Sequence, residues 1–202
     1  MKTLERIAKI AAAEWREFLE VYSAVSDVIA MKITPEGVIT SNLSRDSTAL
    51  VRLVYKAHLP VEPVSVCLEA KPLLKGVAEA TQCEFEDFVP QLTPTARARL
   101  SAEKLRLWIT EAERIEAEHA VFEAAGGRLR FFASACYGDC YVEDYAEAEG
   151  EANAMYSLRY LKAVKRISKP AVLEFATDNP LHMMWETPRV TFSLYLASLP
   201  RD

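Results

Sequence analysis

Residues 95–145 contain the elements of one complete folding unit and read TARARLSAEKLRLWITEAERIEAEHAVFEAAGGRLRFFASACYGDCYVEDY. The first six residues, 95–100, alternate apolar and polar side chains, which predicts a strand with one buried face. Ser101 is a candidate N-cap, and apolar residues then recur at i, i+3, i+4 and i+7 from residue 105 to residue 112. The Gly126-Gly127 pair separates two further alternating segments, which predicts a hairpin. The unit is therefore a strand, a helix and an antiparallel meander.

The same order of strand, helix and short strands recurs along the chain. A copy occupies residues 3–55 and another occupies residues 152–198, whereas the copy that begins at residue 63 has only its strand and helix. Helix starts are expected near residues 13, 70, 102 and 157, so one interval is shorter than the others by roughly the length of two or three strands. These patterns predict an α+β fold of repeated strand–helix–meander units, with an incomplete second repeat.

Composition restricts the class of protein. The chain has 202 residues, of which 50% are hydrophobic and 26% charged, so it can bury a core. The net charge of −5 argues against binding of DNA through overall charge, but not against a local basic face. No apolar segment reaches the length of about 18 residues that a membrane span needs. Glu5, Arg6 and Lys9 lie where a signal peptide would have an uninterrupted apolar stretch. We therefore expect a cytoplasmic protein, which in a prokaryote would be nucleoid-associated.

Neither a metal site nor a catalytic centre is expected. The four cysteines, Cys67, Cys83, Cys136 and Cys140, are read as buried or half-buried thiols, with a Cys136–Cys140 disulfide as the alternative in a hyperthermophile. The nucleophile-elbow, phosphate-loop, zinc-protease and dinucleotide-binding motifs are absent from the sequence. We therefore expect a binding protein without a cofactor, and a small α+β enzyme with a ligand cleft is the alternative.

Five segments carry a resemblance to a known family. The C-terminal segments YSLRYLKAVKRI (156–167), AVLEFATDNPLHMMWE (171–186) and VTFSLYLAS (190–198) resemble the last repeat of the sliding clamps of the proliferating cell nuclear antigen (PCNA) type. The segment EGVITSNLSRDSTALVRL (36–53) is similar to the first meander of that family, and EFEDFVPQ (84–91) is similar to the loop that joins the two clamp domains. The matching positions in the first meander are Gly37, Val38, Leu43, Ser44, Leu50 and Leu53.

The resemblance implies a processivity factor for DNA replication and repair. It would contact or encircle duplex DNA without sequence specificity and would dock replication and repair proteins that carry short motifs. The implied organisation is an N-terminal clamp-like domain at 1–83, a connecting loop at 84–94 and a C-terminal domain at 95–202. The strands missing from the second repeat include the family's subunit-pairing edge. The chain is thus expected either to join a ring, with itself or a full-length paralogue, or to cap an open edge of a full-length clamp as a modifier or inhibitor.

A basic stripe on the last helix is the predicted DNA contact. Arg159, Lys162 and Arg166 fall at i, i+3 and i+7, Lys165 lies beside them, and no acidic residue shares that face of the helix. By the resemblance these positions face DNA, with further cations on other helices at Lys71, Lys75 and Arg16. The alternative is an ordinary solvated helix face.

The resemblance also implies two protein contacts. Docking motifs would bind a pocket formed by Leu43, Thr48, Leu50, Val89, Pro90, Pro180, Ala197, Ser198 and Leu199. The alternatives are that these are core and strand-end residues, and that the loop with Phe88 packs where the missing strands would lie. Subunits would pair through the edge Asp139, Cys140, Tyr141, Val142, Glu143, Asp144 and Tyr145. The acidic segments 111–119 and 142–151 are read as solvated surface, not as acid/base pairs or divalent-ion sites.

Overall fold

The computed structural model describes residues 16–75, 79–135 and 141–200, which form two compact units. The first unit comprises the described residues up to Val89 together with Glu186–Ser193, and the second comprises Pro90–Trp185 and the residues from Leu194 onwards. The predicted strand at residues 3–10 and the start of the first helix lie outside the described residues. None of the helices in the described part of the chain has the length and apolar character that a membrane span requires.

The first unit is a twisted antiparallel sheet with helices against it. Its elements are α1 (helical over 16–25), β1 (Val28–Thr34), β2 (Gly37–Leu43), β3 (Ala49–Lys56), β4 (Val64–Glu69), α2 (Ala70–Leu74) and β5 (Thr81–Gln82). The sheet order is β13-β3-β2-β1-β4-β5, where β13 (Val190–Leu196) contributes residues 190–193 to this unit. Phe18 of α1 is buried and stacks on Phe192 of β13, with ring centroids 5.2 Å apart. Burial of each such ring contributes about 1.5–3 kcal/mol.

The second unit contains the repeat predicted at residues 95–145 and the C-terminal repeat. Its elements are β6 (Ala96–Leu100), α3 (Ala102–Arg114), β7 (His119–Ala125), β8 (Arg128–Ser134), β9 (Tyr141–Gly150), β10 (Ala152–Ser157), α4 (Leu158–Val164), β11 (Ala171–Phe175), β12 (Leu181–Glu186), the end of β13 and β14 (Ser198–Leu199). The sheet order is β14-β10-β7-β8-β9-β6-β11-β12-β13. This arrangement confirms the predicted α+β class and the strand–helix–meander repeat.

The sequence signals in the second unit act as predicted. The Ser101 hydroxyl caps α3 by accepting a hydrogen bond from the Lys104 amide at 3.1 Å. The buried face of α3 includes Trp108, whose ring stacks on Phe131 of β8 with centroids 5.0 Å apart. Gly126 and Gly127 have φ values of 57° and 80°, the left-handed conformation that a two-residue hairpin turn requires.

Two helices are shorter than the sequence pattern predicts. The second, expected to continue to residue 80, ends at Leu74, and Gly76 follows its C-cap in the sequence. The last, expected to continue to residue 167, ends at Val164, because the amides of Arg166 and Ile167 bond to carbonyls three residues back and tighten the final turn. Consequently Lys165 is the C-cap of α4 and Arg166 lies in the following turn.

The prediction of free thiols is wrong for Cys67 and Cys83, which form a disulfide with Cα atoms 5.8 Å apart. The bond joins β4 to the residue that follows β5. It forms because β5 pairs antiparallel with β4, with Cys67 opposite Thr81 and Val66 opposite Gln82. Cys83 therefore lies beside Ser65, two positions from the partner of Cys67 and diagonally across from Cys67. The sequence pattern predicts no strand at 81–82, so nothing in it indicates this pairing. Cys136 and Cys140 lie outside the described residues.

Candidate nucleic-acid interface and docking surfaces

Helices α3 and α4 of the second unit lie side by side and carry the predicted basic surface. The buried face of α4 includes Leu158, Leu161 and Val164, and its exposed face presents Arg159 and Lys162. The Arg106 guanidinium of α3 donates a hydrogen bond to the Lys165 carbonyl at 3.2 Å, which fixes the two helices together. Arg159 and Lys162 are therefore held in place by a buried apolar stripe on the opposite side of their helix.

The cation surface is less uniform than the stripe on α4 predicts. Lys165 forms an ion pair with Glu113 of α3, and its side chain is only 27% exposed. The expectation of a face without acidic residues thus holds for α4 alone and fails where α3 lies beside it. Arg159 extends over the ring of Tyr160, 5.1 Å from its centroid, and keeps its charge at the surface.

The predicted cations of the first unit are also exposed, and two of them contact acidic residues. The Lys71 ammonium lies 3.8 Å from the Asp27 carboxylate, and Arg16 pairs with Glu20 one helical turn away at 3.7 Å. Lys75 is exposed at the end of α2. Exposed pairs of this kind contribute little to stability, but they reduce the positive potential that the first unit presents.

Strand β9 carries the predicted subunit edge. It pairs with β8 along residues 141–147, but with β6 only along residues 148–150. In the described part of the chain, the second edge of residues 141–147 therefore has no partner strand. Asp139 and Cys140 lie outside the described residues, whereas the remaining five predicted edge residues belong to this strand: Tyr141, Val142, Glu143, Asp144 and Tyr145.

Asp144 fixes this strand against α3. Its carboxylate accepts hydrogen bonds from the Trp108 indole at 2.6 Å and from the Tyr145 amide at 2.7 Å, and Lys104 contacts it at 3.0 Å. Burial raises the pKa of the Asp144 carboxyl, but the bonds from Trp108, Tyr145 and Lys104 outweigh that effect and leave the pKa below its usual value. The resemblance placed Asp144 on this strand, but no sequence pattern identifies Trp108, 36 residues away, as its partner.

The opposite face of β9 has its own polar contacts. Glu143 accepts hydrogen bonds from the Tyr145 hydroxyl at 2.7 Å and from Arg130 of β8 at 2.6 Å, and these lower the pKa of the Glu143 carboxyl. Tyr141 is 63% exposed, and its ring lies 5.9 Å from Phe132. The residues at the free edge are thus ordered by contacts within the second unit.

The loop after β5 lies across the outer face of the first unit's sheet. The Tyr22 hydroxyl of α1 bonds to Asn42, so the neighbouring residue Ser41 and its register partner Arg52 point away from that helix. Arg52 makes a bidentate ion pair with Asp87 at 2.8 Å, and the Ser41 hydroxyl donates to the Phe88 carbonyl at 3.1 Å. The hydrogen bond from Arg52 is the largest cause of the lowered pKa of the Asp87 carboxyl.

This loop leaves apolar side chains exposed. Phe88 and Val89 are 50% and 48% exposed, although both belong to large apolar residue types. On the same outer face of the sheet, Leu43 is 50% exposed while its register partner Leu50 is only 3% exposed. Thr48 lies in the turn between β2 and β3, where its hydroxyl donates to Asp46 at 2.8 Å.

The other predicted pocket residues belong to the second unit. Ser198 and Leu199 form β14, which pairs with β10, and the Ser198 hydroxyl donates to the Asp178 carbonyl at 2.8 Å. Pro90, Pro180, Ser198 and Leu199 are half-buried, and Ala197 is exposed. The prediction that these residues act with those of the first unit as one pocket stays a prediction.

The fold of this chain is shared by solved structures along nearly its whole length. Similar structures are a PCNA from A. fulgidus with the C-terminal region of FEN-1 bound (TM-score 0.80, 14% identity, 94% of this chain and 96% of that chain covered) and a PCNA from Entamoeba histolytica (TM-score 0.80, 12% identity, 94% and 96% covered). A third is the PCNA2–PCNA3 complex from Sulfolobus tokodaii (TM-score 0.78, 15% identity, 92% and 96% covered). The chain has the sliding-clamp fold. No protein-family model and no curated protein matches its sequence.

Sequence spacing and the resemblance identified side chains that the structure leaves exposed, but not the contacts around them, and the role of these surfaces stays a prediction. The exposed cations Arg159 and Lys162 and the strand of Tyr141 were identified from spacing and resemblance. The sequence did not predict two ion pairs. The residues of the Lys165–Glu113 pair are 52 positions apart in the sequence, and those of the Arg52–Asp87 pair are 35 apart. No periodic pattern connects such positions, so no sequence signal indicated these ion pairs.

Proposed function

We propose that this chain is a sliding-clamp-like accessory subunit for DNA replication or repair, a binding scaffold without catalytic activity of its own. The observation that carries the proposal is the match to PCNA structures over 94% of the chain at a TM-score of 0.80. We retain the proposed division into clamp-like domains at 1–83 and 95–202, joined by the loop at 84–94.

Duplex DNA is the first proposed ligand. Arg159 and Lys162 are the leading contacts, supported by their exposure on α4; Lys165, Arg166, Lys71, Lys75 and Arg16 are the remaining candidates. Cations of this kind bind phosphates without reading sequence, and removal of one such cation lowers the slope of log affinity against log salt by about 0.9. We therefore expect weak, sequence-independent binding of duplex DNA that disappears as salt is raised.

Fluorescence anisotropy with a labelled duplex tests this interface. The double variant Arg159→Gln/Lys162→Gln should lower the salt slope by about 2. The matched control is Arg99→Gln/Arg128→Gln, which removes two exposed cations from the strands β6 and β8 on the sheet face opposite α3. An equal decrease in both variants would show that binding follows net charge alone and would remove these helices as the DNA-binding surface.

Other clamp subunits are the second proposed partner. The free edge of β9 at residues 141–147 supports pairing with a strand of another chain, and the S. tokodaii structure is a complex of two PCNA paralogues. Either a ring containing this chain or a capped open edge would use this strand. Sedimentation of the chain alone and with a full-length clamp tests both forms. If the chain neither joins nor alters a clamp ring, and shows no salt-sensitive DNA affinity, the proposed function is wrong.

Short docking motifs are the third proposed partner. The A. fulgidus PCNA structure contains the C-terminal region of FEN-1, and the exposed pair Phe88–Val89 with Leu43 supports an apolar contact of the same kind here. Titration calorimetry with that FEN-1 peptide should give an affinity that falls about tenfold in Phe88→Ala/Val89→Ala. The matched control, Tyr141→Ala, removes another exposed aromatic side chain, from β9, and should leave peptide affinity unchanged.

A further inference from the structure

The sheet of the first unit ends in a very short strand. β4 pairs with β1 along six register positions, from Val64 to Glu69, but among the described residues its other edge pairs only with the two residues of β5. The Cys83 amide also donates to the Ser65 carbonyl at 3.3 Å, and the Thr81 hydroxyl donates to the Cys67 carbonyl at 3.4 Å. Such long and few hydrogen bonds hold a strand weakly, because ordering each residue costs backbone entropy.

The disulfide supplies the attachment that these bonds lack. Cys67 lies on β4 and Cys83 follows β5 directly, so the covalent bond holds the short strand against the edge. Further along the chain, Asp87 is fixed to Arg52 of β3, and the next carbonyl accepts a hydrogen bond from Ser41 of β2. The segment 81–88 is therefore attached to the first unit by one covalent bond at its start and by polar contacts at its end.

The disulfide lies where a thiol reagent can reach it. Cys67 lines an open groove of about 410 Å³ together with Leu68, Glu69, Pro72 and Thr81. Both cysteines are half-buried rather than enclosed in the core, and Gln82 and Glu84 on either side of Cys83 are exposed. Accessible disulfides of this kind are the ones that exchange with external thiols.

We propose that the Cys67–Cys83 disulfide is a redox latch that keeps β5 on the edge of β4 and fixes the start of the docking loop. A dithiol reductant opens it with two electrons and two protons. One thiolate of the reductant attacks a latch sulfur and breaks the Cys67–Cys83 bond, and the other cysteine leaves as a thiolate and takes up a proton. The second thiolate of the reductant then attacks the mixed disulfide and releases the second cysteine thiol, which leaves the reductant as its own disulfide.

Opening the latch changes one edge and one loop, and leaves the sheet intact. Without the covalent bond, the two pairs of β5 do not hold residues 79–84, and the edge of β4 at Ser65 and Cys67 becomes free for another strand. β4 itself stays in place through its six pairs with β1. If the loop is the docking site of the proposed function, on which this consequence rests, reduction also frees Phe88 to change its position.

Hydrogen–deuterium exchange with dithiothreitol as the reductant tests the latch. After reduction, amides at 79–86 and the edge amides of Ser65 and Cys67 should exchange about tenfold faster through local opening. The amides of β1, β2 and β3 should stay protected and change only by the shift in global unfolding stability that loss of the cross-link causes. The variant Cys67→Ser/Cys83→Ser should exchange at the fast rate with or without dithiothreitol. The matched control Cys136→Ser/Cys140→Ser should keep the full response to the reductant.

Three outcomes would overturn the proposal. Unchanged exchange at 79–86 after reduction would show that β5 needs no covalent attachment. Complete loss of protection throughout β1, β2 and β3 would show that the disulfide holds the whole first unit together and does not only attach β5. Two free thiols at Cys67 and Cys83 in protein purified without reductant, seen by alkylation and mass spectrometry, would show that the bond does not form.

The docking peptide separates the latch from the proposed function. If exchange responds to reduction but the peptide binds neither the oxidised nor the reduced protein, the docking function is wrong and the latch stands. If the peptide binds both forms equally while exchange responds, the latch stands and controls the strand edge alone. If exchange does not respond, the latch is wrong whatever the peptide does.

Discussion

At the scale of single residues, Asp144 joins the free-edge strand to a helix. Its carboxylate receives the Trp108 indole, the Tyr145 amide and the Lys104 ammonium, so one side chain connects β9 to α3. Removing its charge leaves the indole with a weaker acceptor and Lys104 without its ion-pair partner. We therefore expect a change at Asp144 to affect this strand more than a change at an exposed neighbour.

Asp144→Asn should lower the free energy of unfolding by about 1 kcal/mol at neutral pH, measured by urea denaturation. Because the folded-state pKa of Asp144 is lowered, its contribution is fully present above the unfolded pKa of about 3.9 and is lost as pH falls through the folded pKa. The difference between the variant and the parent should therefore shrink in acid. Glu149→Gln, an exposed change on the same strand, is the control and should cost little at any pH.

His182 gives the second residue-scale prediction. Burial lowers the pKa of its imidazole more than the neighbouring Glu174 carboxylate, 3.1 Å away, raises it, and the ring stacks on Tyr195 at 4.4 Å. A lowered histidine pKa gives stability that is complete above the unfolded value of about 6.5 and declines as pH falls through the folded value. Thermal unfolding between about pH 7 and pH 5 should show this decline, and His182→Gln should flatten it. An identical pH profile in the variant would contradict the assignment.

At the scale of elements, the Cys67–Cys83 disulfide cross-links the incomplete repeat. It closes a loop with a sequence separation of 16 residues, for which the chain-entropy estimate is about 3 kcal/mol. Cys67→Ser/Cys83→Ser should therefore unfold in urea with a free energy lower by about that amount. The reduced parent protein is the comparison, because it should unfold at the same urea concentration as the variant. Agreement of the variant with the oxidised parent would contradict the prediction.

The elements that the sequence predicts well are those specified by local signals. The Gly126-Gly127 turn, the Ser101 cap and the apolar stripe through Trp108 each depend on residues close together in the chain, and each occurs as expected. The ends of α2 and α4 depend on the last turn of each helix, where periodicity carries least information. The pairing of Cys67 with Cys83 depends on where β5 lies, and a two-residue strand has no recognisable period.

At the scale of the whole molecule, the two units differ in the strand edge that each presents. In the second unit, residues 141–147 of β9 have a free edge within the described part of the chain, whereas in the first unit the disulfide-bound β5 pairs with the edge of β4 at Val66 and Cys67. Head-to-tail association into a closed ring requires two compatible open edges in every subunit. Under the proposed function, an oxidised chain would therefore add to a neighbour through β9 and would offer the next copy only the part of the β4 edge that β5 leaves unpaired.

We accordingly predict that the oxidised protein sediments alone near its monomer mass of 22.7 kDa and forms no closed ring with itself. Mixed with a full-length clamp, it should join through β9 and give a complex that contains a single copy of this chain. Analytical ultracentrifugation without reductant, over a wide range of protein concentration, measures both masses. The control is Cys67→Ser/Cys83→Ser, whose β4 edge is released and which should associate at lower concentration than the parent. A closed self-assembled ring of the oxidised protein would show that β5 does not block the edge and that this chain builds its own ring.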